Sequence, residues 1–265
     1  MTISPLAVIA VFAFGLMVGS FLNVCIWRIP RGEQIVKGRS RCTHCKKQIL
    51  WHDNIPLLSF CLLKGRCRFC KRRIAWRYPL VELVSALLWV GVVIRFGWTP
   101  LAAAYGVLAA LLLALAVIDA REMILPDEIT LPGVSLGVIL SYYLPQMQGA
   151  ASRWAGLWAS VLGALVGAAV IWMVGFLGRL AFKREAMGMG DVKLMAMVGA
   201  WIGLVKVLMV DLLFGPILGA LVGVVLKYRY GRDLIPYGPF LAAGTGIALF
   251  WGDSLVRWYL SGLRI

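Results

Sequence analysis

Residues 1–27 read MTISPLAVIAVFAFGLMVGSFLNVCIW and carry no charged side chain. The next residue is Arg28, and from there to Arg77 the chain holds 14 Lys and Arg against two acids, Glu33 and Asp53. A membrane-crossing helix needs about 20 apolar residues, and this run supplies them. No basic segment precedes it and no small-x-small cleavage site follows, so it reads as a retained helix rather than a cleaved signal peptide. Basic residues concentrate in cytoplasmic loops. The Arg28–Arg77 stretch is therefore expected in the cytoplasm, with the N-terminus outside.

Outward from this stretch the same alternation continues. Hydrophobic residues make up 61% of the 265 and charged ones 15%, against about 25% charged in soluble domains. An ordinary soluble fold and a disordered chain are both excluded. Seven more apolar segments are expected to cross, at about 79–98, 100–118, 129–144, 154–182, 192–205, 207–226 and 234–252. The sixth span, 192–205, is too short for a full bilayer unless its start is recessed. The tail, 253–265, is expected outside as an interfacial helix. With this threading 22 of the 27 Lys and Arg fall on the inner side, and the inverted topology would reverse that bias. The expected fold is an all-α integral membrane protein of about eight transmembrane helices with a small cytoplasmic zinc-ribbon-like insert. Its parts are a first helix (1–27), a basic domain (28–78) and a seven-helix core (79–265). The net charge of +15 then faces anionic lipid, which ranks well ahead of a nucleic-acid partner.

The basic domain contains Cys42-x-x-Cys45 and Cys67-x-x-Cys70, separated by 21 residues. Each C-x-x-C turn offers two thiolates, and two turns complete a tetrahedral zinc shell. CTHCKKQILW (42–51) and CRFCKRRIAW (67–76) match at an offset of 25. Two similar knuckles facing one structural ion are expected. A redox dithiol would need a βαβ context that is absent. His44 and His52 read as solvated side chains.

Two aspartates stand out among the apolar segments. Asp119 closes a long uncharged helix in VIDAREMILPDEIT, and Asp191 follows Gly188-Met189-Gly190 at the start of the short span. Carboxylates at membrane depth are costly and are functional candidates. The bland alternatives are an acid meeting water past a helix end and a glycine turn with an N-cap aspartate. Both acids nevertheless fall at helix ends on the same side. A carboxylate pair that shares one proton can hydrolyse a peptide bond, and Gly188 and Gly190 would let an extended substrate approach the backbone. No serine or cysteine nucleophile competes, since both histidines lie in the basic domain and no H-E-x-x-H is present. Asp127 and Glu128 are expected to be exposed. Asp211 reads as structural, with Lys206 as a partner. Glu82 is expected to touch the active site or pair with a loop arginine. The Gly/Ala-rich stretch Gly156–Gly178 is expected to pack closely against other helices. The rival function is a proton- or ion-coupled transporter, with Asp119, Asp191 and Asp211 strung along a path.

GSFLNVCIWRIPRG (19–32), the double C-x-x-C insert, RYPLVEL (77–83), IDAREMILPDEIT (118–130), GMGDVKL (188–194) and IPYGPFLAAG (235–244) occur in the order seen in bacterial prepilin peptidases. The chain resembles these type IV leader peptidases, members of the GxGD aspartic proteases, over nearly its whole length. The resemblance implies cleavage of the basic leader of type IV prepilins or type II secretion pseudopilins on the cytoplasmic side of the inner membrane. It also implies N-methylation of the new terminus from S-adenosylmethionine. Its catalytic aspartates map onto Asp119 and Asp191, and its zinc cysteines onto Cys42, Cys45, Cys67 and Cys70. No strand–G-x-G-x-x-G–helix unit for the methyl donor is visible. The methyltransferase rests on the resemblance alone.

Overall fold

The computed structural model describes residues 4–36, 38, 40–183, 187–230 and 235–262. Of the basic residues placed above, Lys37, Arg39, Arg184, Arg232 and Arg264 lie outside these. The described residues are helical apart from loops and two isolated β-bridges. In order they form α1 (Pro5–Arg28), α2 (Leu58–Leu62), α3 (Arg77–Phe96), α4 (Pro100–Glu122), α5 (Asp127–Tyr143), α6 (Arg153–Phe182), α7 (Met189–Ile202), α8 (Leu204–Met209), a π-helical turn (Val210–Phe214), α9 (Gly215–Tyr230) and α10 (Gly238–Gly262).

Local chemistry sets the helix starts. Ser4 caps α1 by accepting the Ala7 N–H, with Pro5 at the first helical position, and Ser152 caps α6 through the Ala155 N–H. Such side chains satisfy N–H groups that have no partner inside the helix. Gly203, at φ +80°, ends α7.

Among the described residues, six helices are long and apolar enough to cross a membrane: Pro5–Arg31, Arg77–Phe96, Pro100–Glu122, Arg153–Leu180, Leu204–Gly223 and Gly238–Trp258. Large apolar side chains such as Phe14, Phe21, Trp172 and Leu177 point outward, as they would toward lipid. The two remaining predicted segments are helices but shorter, α5 with 17 residues and α7 with 14. The tail departs from expectation. Residues 253–262 continue α10 instead of forming a separate interfacial helix, because no glycine or proline breaks the helix between Gly252 and Gly262.

The chain divides into two compact units, Met1–Ala114 and Leu115–Ile265, with the boundary inside α4. In the first unit α1 lies directly on α3. A Cβ on Gly15 would sit 2.6 Å from the Ala86 Cα, and one on Gly19 2.6 Å from the Glu82 Cα. These glycines are one turn apart, the G-x-x-x-G spacing that lets membrane helices approach backbone to backbone. Ser85 seals the contact by donating to the Gly15 carbonyl at 2.8 Å.

The second unit repeats the device. Gly163 and Gly167 of α6 face α7, and a Cβ on Gly199 would fall 2.0 Å from the Gly163 carbonyl oxygen. Gly156 meets the Ser141 carbonyl in the same way, so the glycine-rich stretch does serve close packing. Trp201 is fully buried, lies against Gly137, and donates to the Gly133 carbonyl at 2.8 Å. The break at Gly203 leaves the Ala200 carbonyl to Ser141, Gln148 and Ser160, which all donate to it.

Candidate functional site

Asp119 lies in the last turn of α4 and is 6% exposed. Protein, not water, surrounds it. Its Oδ2 accepts the Gly238 N–H at 2.8 Å. Gly238 is the first residue of α10, where N–H groups have no partner within the helix and the helix dipole favours a carboxylate. A Cβ at position 238 would stand 2.8 Å from the same oxygen. Replacing Gly238 by Ala is therefore expected to displace the Asp119 carboxyl and slow peptide cleavage about tenfold or more, the scale of one lost hydrogen bond to a charged group. Steady-state cleavage by the purified variant checks this, and an unchanged rate would remove Gly238 from the site.

Asp191 is the third residue of α7 and 9% exposed. The N-cap is Gly188, not the aspartate. Asp191 Oδ2 reaches back one turn to accept the Gly188 N–H at 3.3 Å. A Cβ on Gly190 would sit 3.0 Å from the Leu125 Cβ, so the small residue lets the α4–α5 connection lie on the start of α7. Asp119 and Asp191 are within electrostatic reach of each other.

Asp191 stands at the start of a short helix. A 14-residue helix such as α7 is about 21 Å long, well short of a hydrocarbon core of about 30 Å. Gly175 of α6 lies beside Met187, and α6 runs on to Phe182, about 10 Å further. The start of α7 thus lies below the end of its long neighbour.

The other acids take different places. Asp127 is exposed and held by Lys193 Nζ at 2.7 and 2.8 Å, and Glu128 is exposed. Glu82 forms no ion pair with an arginine among the described residues. It accepts the Leu57 N–H at 2.9 Å and so ties the insert to α3. Lys206 is not the partner of Asp211, since its Nζ lies 3.0 Å from Asp253 one turn into the C-terminal part of α10. Asp211 sits in the π-helical turn, 2% exposed.

In the first unit the insert folds as two matching knuckles. Arg41 bridges Gln48 and Arg66 bridges Arg73, the same pair 25 residues on. Cys42 donates its N–H to Lys47 and Cys67 to Arg72, each at 2.9 Å, and Lys46 and Lys71 both take positive φ. Cys42, Cys45, Cys67 and Cys70 thereby converge, with their sulfurs within 4.8 Å of one another and Cys42–Cys70 at 3.8 Å. This cluster is suited to hold a metal ion. His44 stays outside it, 3.4 Å from an Arg72 nitrogen. Asp53 accepts from Arg68 at 2.6 and 2.7 Å, and that guanidinium holds its carboxyl below the usual carboxylate range.

Gly238 and Tyr237 were not singled out by the sequence reading, although both lie in IPYGPFLAAG. A glycine just past a proline-rich turn and ahead of an apolar run is a helix-start signal that was available.

Comparison with known proteins identifies the family. Residues 13–96 match the bacterial peptidase A24 N-terminal domain, and residues 106–224 match the type IV leader peptidase family. A prepilin leader peptidase/N-methyltransferase of Aeromonas salmonicida is 40% identical over 95% of this chain and 93% of its own length. Proteins of the same description from Stutzerimonas stutzeri and Pseudomonas aeruginosa are each 38% identical, over 99% and 97% of this chain and 97% and 94% of their own lengths. No solved structure matches the chain. Matched almost end to end by these relatives, the chain belongs to the type IV leader peptidase family.

Proposed function

We propose that this multi-pass membrane protein cleaves the leader of a type IV prepilin or type II secretion pseudopilin and then N-methylates the new terminus, with Asp119 and Asp191 as the peptidase pair. The observation that supports the reading is that the two carboxylates are buried, lie within electrostatic reach of each other, and each accept a glycine N–H. Like charges within electrostatic reach disfavour double ionisation, and the pair is proposed to share one proton. The ionised carboxylate takes a proton from the attacking water. The protonated one hydrogen-bonds the scissile carbonyl, and a proton then passes to the leaving amine. Gly188 is exposed, and an extended substrate strand is proposed to approach the chain beside it and Gly190.

The eight predicted segments are proposed to cross, with α5 and α7 as the short members, both termini outside, and the insert on the cytoplasmic side of the inner membrane. The charge asymmetry supports that orientation. The four-cysteine cluster is proposed to hold zinc. Bonds of about 2.3 Å to a tetrahedral ion put sulfurs about 3.8 Å apart, in keeping with Cys42–Cys70 at 3.8 Å. A four-thiolate shell has no open position, so the ion is structural. S-adenosylmethionine would supply the methyl group. The described residues contain no strand beyond two isolated bridges and so no Rossmann-type unit among them, and no residue is assigned to the donor.

Purified enzyme incubated with a prepilin and S-adenosylmethionine is expected to yield a pilin that has lost its leader and gained one methyl on its new terminus, read by mass spectrometry. An intact prepilin would defeat the peptidase reading. A cleaved but unmethylated product would leave a peptidase only.

A further inference from the structure

Asp211 is the acid that this mechanism leaves unused. It is 2% exposed, and neither carboxylate oxygen has a hydrogen-bond partner among the described residues. A buried polar group without a partner is costly, and an aliphatic residue would relieve that cost. The nearby cation, Lys206, is engaged by Asp253. The residue also stands in a π-helical turn, whose extra residue shifts the side-chain register and which recurs at functional positions.

Its position relative to the carboxylate pair follows from the seam between α9 and α10. Gly219 lies on the Tyr237 ring, Gly215 on the Tyr237 hydroxyl and on Leu241, and Gly244 on Val210 and Phe214. The π-helical turn therefore runs beside residues 241–244, three to six residues deeper in α10 than Gly238, which holds Asp119. At 1.5 Å per residue this is about 5–9 Å. Tyr237 lies within electrostatic reach of both Asp191 and Asp211, so the two acids border a common region.

A leader peptidase substrate enters with its leader at the surface and its apolar mature segment in the bilayer. The peptide must be extended to be cut, and an extended strand in apolar surroundings carries backbone N–H groups that need partners. At about 3.3 Å per residue, 5–9 Å corresponds to two or three residues past the scissile bond. We propose that the Asp211 carboxyl is a substrate subsite that accepts a hydrogen bond from the backbone of the mature segment just beyond the cut. This rests on the peptidase reading above.

The test uses the full-length enzyme in detergent. Prepilin binding is measured with Asp191→Asn, which on the peptidase reading binds without cutting, and with Asp191→Asn carrying Asp211→Leu or Asp211→Asn. Cleavage is measured with the single Asp211 variants. Asp211→Leu is expected to hold or raise thermal stability, weaken prepilin binding about tenfold, and raise KM with kcat nearly unchanged. Asp211→Asn keeps an acceptor oxygen and is expected to restore most of the affinity. Unchanged affinity and KM in a folded Asp211→Leu enzyme would overturn the proposal. So would a fall in kcat alone, which would assign Asp211 to the chemistry, or an Asn variant as weak as Leu. If Asp191→Asn itself still cuts, the peptidase reading fails, and the failure is distinguishable because it precedes any comparison at position 211.

Discussion

Asp119→Asn and Asp191→Asn are each expected to abolish leader cleavage while leaving the enzyme folded and able to methylate a pre-cleaved pilin. Asparagine keeps the size of the carboxyl and can still accept the Gly238 or Gly188 N–H. It cannot ionise, so the pair no longer offers one basic and one acidic oxygen. Loss of a catalytic residue from such a unit typically lowers kcat by several orders of magnitude. Methyl transfer needs a neutral amine aligned with the donor, not a proton shared between carboxylates. Uncut prepilin should remain unmethylated with either variant, because its amine does not yet exist, whereas supplied pre-cleaved pilin should gain its methyl. Mass spectrometry of the pilin terminus reads both outcomes. If a folded variant loses methylation of pre-cleaved pilin as well, the two activities share residues.

The second large effect concerns the cysteine cluster. Purified, reduced protein is expected to contain one zinc per chain, and Cys42→Ser or Cys67→Ser to lose it and unfold the insert. Structural zinc is worth on the order of 10 kcal/mol in small domains. The described contacts that would remain are small ones, among them a bidentate Asp53–Arg68 pair, the short α2, the Phe60–Trp76 ring contact and the Glu82–Leu57 tie. Methylation should fall more than cleavage, since hydrolysis by a carboxylate pair needs no metal. Elemental analysis showing no metal would remove the zinc assignment. A Ser variant with full metal content would remove its cysteine from the shell.

Much of this arrangement is legible in the sequence because it is carried by local patterns. Uncharged runs mark the helices, and the repeat at an offset of 25 foretells two knuckles whose bridges and turns do repeat at that offset. The short reach of α7 is visible as the brevity of the apolar run between Asp191 and Gly203. What the sequence hides is pairing across distance. The Gly238 N–H meets Asp119 from 119 residues away, and Glu82 meets Leu57 because α3 and the insert fold together. Lys206 is near Asp211 in sequence, yet helical geometry turns it toward Asp253. The paired glycines at 15 and 19 and at 163 and 167 were readable as G-x-x-x-G spacing, but only the fold says which helix each meets.

The most direct test of the central claim, that Asp119 and Asp191 act as one unit, is single-turnover cleavage of one purified prepilin by Asp119→Asn, Asp191→Asn and the double variant. A proton shared by a pair is lost when either member is changed, so a second change removes nothing more. The predicted result is one common residual rate for all three enzymes. Losses that multiply in the double variant, or either single variant cutting near the wild-type rate, would contradict it.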